Sequence, residues 1–167
     1  MITITVTTKI YPTEDDEKVI QALENVLEFK KEDVQEIPGK ENIRLALDDS
    51  ISYECEFKRV KIELIGHQPL RKLHEMFRSH YIVQAAREVL ISAKKQNPDG
   101  SSETTFMLNK QAALMKKVKF SEEGECPMGP IIVKIKSDDD IQELINWLTP
   151  QTKNGYVIEP KDSKFNF

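Results

Sequence analysis

The stretch FMLNKQAALMKKVKF, residues 106–120, is where the fold class is decided. Phe106 and Leu108 sit at strand spacing, Asn109 is a helix-capping residue type, and Ala112, Ala113 and Leu114 make a short apolar helical turn. Val118 and Phe120 then resume strand spacing. A plain core element has no use for Asn109, Lys110 and Gln111 in a row. A plain surface loop has no use for the apolar residues around them. The polar triplet therefore reads as the first turn of a short helix over 110–114, held in place by what packs beneath it.

Working outward, the same punctuation recurs. Ile2, Ile4 and Val6 alternate with Thr3, Thr5 and Thr7, which predicts a first strand with one buried face. Residues 12–16, PTEDD, predict a helix start with Thr13 as the cap and acids where the helix dipole favours them. Val19, Ile20, Leu23, Val26 and Leu27 follow at helical spacing. Residues 34–37 and 43–47 predict short strands on either side of a Pro38-Gly39 turn, and the acidic stretch 48–56 carries no clear element. Val60, Ile62 and Leu64 predict a strand ending at Gly66. Pro69 opens a helical region with a bend at Ser79-His80-Tyr81, closed by the Asn97-Pro98-Asp99-Gly100 turn. Beyond the rigid turn at 127–130, Ile131, Val133 and Ile135 predict a last strand, and Asp138 to Asp140 open a helix carrying Ile141, Leu144, Ile145, Trp147 and Leu148.

This order is not a strict alternation of strand and helix with Gly-rich turns, so a doubly wound nucleotide-binding fold is excluded. The expected class is α+β: a two-layer α/β sandwich, a mixed sheet with helices packed on one face and the other face open. One domain over 1–150 is expected, with 151–167 as a C-terminal extension.

Composition narrows the function. The chain has 167 residues, 39% hydrophobic and 31% charged, enough for a core that needs no staples. No apolar run approaches the ~20 residues needed to span a bilayer, and the N-terminus lacks the charged start of a signal peptide, so a cytoplasmic protein with no membrane partner is expected. Cys55 and Cys126 belong to no paired motif and are expected as buried thiols. His67, His74 and His80 lack the spacing of a helical metal pair, and Glu122, Glu123 and Glu125 sit beside a turn, so no metal and no cofactor are expected. No phosphate-cradling or nucleophile motif occurs, which points away from an enzyme.

The net charge of −4 hides a two-signed chain. Residues 12–56 hold fourteen acids against five bases, whereas 70–119 hold ten bases against four acids. Arg71 and Arg78 share a helix face, as do Arg87 and Lys94, and Lys110, Lys116, Lys117 and Lys119 extend the basic set. Such a surface suits phosphates, with Asn109 and Gln111 adding hydrogen bonds. Equally, Asn109 has a purely structural use as a cap, and Gln111 as a partner for buried backbone groups.

Five segments in order, YPTED at 11–15, IVQAAREVL at 82–90, FMLNKQAA at 106–113, CPMGPI at 126–131 and ELINWLTPQT at 143–152, resemble an archaeal family catalogued as uncharacterised protein family 0201. The family is described as predicted RNA-binding proteins. The resemblance covers most of the chain. It implies a fold like the 5S-RNA-binding protein of the large ribosomal subunit and an RNA partner, and it brings no catalytic residue. This chain departs from the family's usual pattern at Tyr81, where an arginine is common, at Gln84, where an acid is, and at Lys116, where a glycine is.

The expectation is a non-catalytic RNA-binding protein whose basic surface in 70–119 holds phosphates through Arg71, Arg78, Arg87, Lys110, Lys116 and Lys117, assisted by Asn109 and Gln111. Tyr81 offers a ring for stacking on a base. The alternative is a protein-interaction module, a homodimer or complex subunit, in which the acidic stretch of one copy meets the basic stretch of another.

Overall fold

The computed structural model of the chain describes residues 1–45, 48–122, 124–125 and 128–165, and all their side chains but those of 42–45 and 48–53. The elements run β1 (Ile2–Ile10), α1 (Asp16–Val26), β2 (Val34–Leu45), β3 (Asp48–Ile65), α2 (Arg71–Ser79), α3 (Val83–Ser92), β4 (Lys95–Gln96), β5 (Ser102–Leu108), α4 (Lys110–Leu114), β6 (Ile131–Ser137) and α5 (Gln142–Leu148). A small hairpin, β7 (Thr152–Lys153) with β8 (Tyr156–Val157), follows.

Six strands form one sheet in the order β2-β3-β1-β6-β5-β4. Its ladders are antiparallel at every described pairing. Register puts Ile4 opposite Leu64 and Ile135, and Val6 opposite Ile62 and Val133, so the apolar members of three strands share one face. Phe106, opposite Val133, and Leu108, opposite Ile131, complete it. Against this face pack Leu23 and Val26 of α1, Leu73 and Phe77 of α2, Ala86 and Leu90 of α3, and Leu144 and Ile145 of α5, all buried in one core. The α+β class and the one-sided helical layer are those the sequence led one to expect.

Buried polar groups stitch the layers. Thr104 Oγ1 donates to the Leu90 carbonyl at 2.8 Å, tying β5 to α3. Ser102 Oγ donates to the Asp139 carbonyl at 2.7 Å and accepts from the Ile141 amide at 2.6 Å, which sets the approach to α5. Such groups are costly to bury unless paired, so each pair fixes where its helix sits. From residue 151 the chain folds back, and Phe165 is buried against His67 and Trp147.

Local readings differ in four places. Val118 and Phe120 form no strand, and Phe120 makes only an isolated bridge to Leu108. Asp15, not Thr13, caps α1: its carboxylate accepts the Glu17 amide at 2.9 Å, while 12–14 form a turn. Residues 34–45 are one strand running through Pro38-Gly39, with no turn there. Proline is tolerated because β2 is an edge strand, where a missing amide forfeits no ladder bond. Gly39 is needed for space, since Phe57 lies opposite and its ring sits 2.6 Å from where a Cβ would be. The acidic stretch 48–56 belongs to β3, an 18-residue strand paired with β2 along its length. Ala46, Leu47, Glu123, Cys126 and Pro127, also part of the sequence reading, lie outside the described residues.

Gly39→Ala should lower stability by about 1–3 kcal/mol through overpacking on the Phe57 ring. Urea unfolding should show a lower midpoint at unchanged slope. Phe57→Leu in the same chain should recover part of the loss, giving a non-additive double mutant.

Candidate nucleic-acid interface

The eight positions singled out from the sequence do not form one surface. Arg78 is spent on the end of α5: it donates to the carbonyls of His74 at 2.9 Å, Trp147 at 3.0 Å and Leu148 at 3.3 Å. It also forks onto both carboxylate oxygens of Glu159 at 2.7 and 3.0 Å, and this holds the Glu159 carboxyl below its usual range. Arg87 donates to Asn146 Oδ1 at 3.0 Å and to the Thr149 carbonyl at 2.8 Å. The last carbonyls of a helix have no partner within it and carry partial negative charge, so two guanidinium groups there act as caps.

Lys110 is buried. Its Nζ donates to the Lys9 carbonyl at 2.7 Å, the Met128 carbonyl at 2.8 Å and the Glu14 carboxylate at 2.9 and 3.1 Å. An ammonium with its donors filled from inside has none for a phosphate. Arg71 lies 3.4 Å from Glu75 and 4.0 Å from Glu28 on the helical side. Asn109 is the cap of α4, its Oδ1 accepting from the Ala112 amide at 2.9 Å. Gln111, Lys116 and Lys117 are exposed. Lys116 holds φ +58°, the left-handed geometry that ends a helix and favours glycine. Tyr81, at φ +56° and 92% exposed, is the residue that breaks α2 from α3. The basic helical surface is thus largely a set of internal ties, and Arg78, Arg87 and Lys110 are withdrawn as phosphate ligands.

The two-signed charge pattern resolves the same way. Glu14 meets Lys110, Glu28 meets Arg71, and Lys72 donates to the Glu24 carbonyl. At Glu14–Lys110 and Glu28–Arg71 the acidic and basic stretches meet inside one chain.

What the helices leave open is the other face of the sheet. Its cations are Lys9 on β1, Arg59 and Lys61 on β3, Lys95 on β4, and Lys134 and Lys136 on β6, with Thr3, Thr5, Thr7 and Thr105 between them. Register sets Thr7 opposite Lys61, Thr5 opposite Lys134, Thr3 opposite Lys136, and Lys9 opposite Arg59. Among the described residues three carboxylates share the face: Glu41 pairs with Lys9 at 3.0 Å, Glu63 with Lys61 at 3.0 Å, and Glu103 with Lys134 at 3.3 Å. Arg59 lies over the Phe57 ring at 5.9 Å, and neither it nor Lys136 has a carboxylate within ion-pair distance among the described residues. Asp99, in the β4–β5 turn, is held below the usual carboxylate range by hydrogen bonds from the Ser101 hydroxyl and amide, and less strongly by the Lys136 charge. At one end Tyr11 donates its hydroxyl to Glu41 at 2.9 Å, and burial followed by that bond pushes the phenol up to about 12. The hydrogen bond from Lys9, then that from Tyr11, hold Glu41 below the usual carboxylate range.

Sequence reasoning missed this set because it sought charge density along the chain. The available signal was period two: Lys134 and Lys136 alternate with Ile131, Val133 and Ile135, and therefore share the face the core does not use.

A family model described as RNA binding matches residues 3–137, from the second residue of β1 to the last residue of β6. The chain belongs to the UPF0201 family. A UPF0201 protein of Sulfurisphaera tokodaii is 35% identical over 159 residues, 95% of this chain and 94% of its own. That of Methanopyrus kandleri is 32% identical over 157 residues, 93% and 89%. The crystal structure of the UPF0201 protein from Methanococcus jannaschii aligns with a TM-score of 0.66 at 29% identity, over 93% of this chain and 98% of that one. These relatives are archaeal, and the family model's description names no reaction. No helix among the described residues is long and apolar enough to cross a membrane.

Lys110→Met should cost about 3–5 kcal/mol, because Glu14, largely shielded from solvent, loses its counter-charge and the Lys9 and Met128 carbonyls lose their donor. Adding Glu14→Leu should restore much of the thermal midpoint. His74 stacks on Trp147 with ring centroids 4.6 Å apart, and burial, then the Arg78 charge, push its imidazole down to about 4. The unfolded chain takes up that proton near pH 6.5, before the folded one does. Stability should therefore fall as pH drops from 6.5 through 4, and His74→Gln should flatten that part of the stability–pH curve.

Proposed function

We propose that the protein is a non-catalytic RNA-binding protein and that it meets RNA with the open face of its sheet, not with the basic helical stretch. One observation carries this reading: among the described residues, the face the core leaves unused bears six cations against three carboxylates, with hydroxyls in between. The family description supplies the ligand class. The ion pairs on this face are surface pairs worth roughly 0–1 kcal/mol each, so a phosphate exchanges with their carboxylates at little cost. Because phosphate contacts release counterions, affinity is steeply salt-dependent.

The test is a salt titration of binding to a mixed RNA pool. Lys134→Gln with Lys136→Gln should weaken binding and reduce the log–log salt slope by about 1.4–1.8, two contacts' worth. Lys116→Gln with Lys117→Gln, on the far side of the core, should leave the slope unchanged. If the second pair moves the slope and the first does not, the interface lies at α4 and the open-face reading falls.

A further inference from the structure

Resting on that reading, the layout of the open face selects among RNA structures. Strands are spaced by about 4.8 Å, and alternate residues along a strand by about 6.8 Å. β3 and β6 both flank β1, so their cations stand roughly 10 Å apart across the threonine row. Lys61, opposite Thr7, and Lys134, opposite Thr5, are then roughly 12 Å apart, and the outlying Arg59 and Lys136 roughly 22 Å. The face has two cationic corners on one diagonal. Arg59, Lys61 and Lys9 make one, and Lys134 and Lys136 make the other. Neutral hydroxyls occupy the ground between.

A single strand asks for something else. Unpaired bases are held by stacking on exposed aromatic rings, and a sheet that reads them presents such rings from its strands. Here the strand positions between the corners are threonines, with Ile132 and Met107 on the next row. Among the described side chains, the aromatic residues at the end of the face are occupied. Phe57 is 7% exposed, with Lys9 at 4.7 Å over its ring, and Tyr11 is tied to Glu41. Nor does a slab of sheet enter a deep, narrow groove. The minor groove of A-form RNA is wide and shallow, is bordered by the phosphates of both strands and displays the ribose 2′-hydroxyls. The minor groove of B-form DNA is only about 6 Å wide and has no such hydroxyls.

We propose that the open face docks double-stranded RNA across its minor groove. Each cationic corner takes the phosphates of one strand, and the hydroxyls of Thr3, Thr5 and Thr7 meet the 2′-hydroxyls between. Recognition is by shape and sugar, with little dependence on base sequence.

The experiment is fluorescence anisotropy at fixed salt with three probes of one sequence: an RNA duplex longer than the ~16 base pairs a double-stranded-RNA module spans, the matching DNA duplex, and the single RNA strand. The RNA duplex should bind best. Thr5→Val with Thr7→Val keeps β-branched residues in the strand and removes two hydroxyls. It should weaken RNA-duplex binding by roughly tenfold, the loss of two net hydrogen bonds, and leave DNA-duplex binding where it was. Circular dichroism and the melting midpoint report whether the variant folds. If the single strand binds as tightly as the duplex, or both duplexes bind alike and the valines change nothing, the duplex assignment is overturned while RNA binding stands. If no RNA probe binds even at low salt, the RNA reading falls with it.

Discussion

Burying one face of an antiparallel sheet dictates which side chain of every strand pair meets water, because successive residues point to opposite sides. β1 lies between β3 and β6, so its isoleucines and valine commit three strands at once. A register slip of one residue would turn Lys134, Lys136, Arg59 and Lys61 into the core and is strongly disfavoured. The candidate interface is the complement of the core and has no independent origin. Its cations are aligned by the same ladders that align Ile4 with Leu64 and Ile135.

The helical layer shows what happens to charge when it is close to a core. Arg78 and Arg87 look from the sequence like exposed phosphate hooks, yet both reach across to the C-terminal carbonyls of α5. Burial pushes the Arg87 guanidinium down, and the contacts it makes in exchange secure two helices to each other. Lys110 binds three separate segments, 9, 14 and 128, at one nitrogen. These are structural ties made from residues that in another setting hold nucleic acid. A basic stretch in a sequence says little until its carbonyl neighbours are known.

The relationship to other UPF0201 proteins concerns the whole fold, since identity above 30% extends over more than nine-tenths of the chain. The matched model spans the sheet from 3 to 137 and stops before α5 and the returning tail. In this chain that tail is held by Phe165 against His67 and Trp147 and by Glu159 on Arg78.

Alternation and capping were legible without coordinates. β1, the Val60-Ile62-Leu64 strand, β5, the short helix capped by Asn109 and β6 all follow from short-range periodicity, because the period of a strand or helix is a property of neighbouring residues. The strand through Pro38-Gly39 was not legible. Its proline is permitted only by an edge position, and its glycine is required only by a ring 18 residues further on. The site was hidden for a related reason. Whether a lysine is a tie or a ligand depends on which carbonyls and carboxylates surround it, and those come from segments as far as 101 residues away. The sequence by itself determined most of the elements, the apolar side of the strands it showed, and the family. Only the tertiary structure decided which cations were consumed in holding the helices and which were left facing water, because that choice is made by long-range contacts.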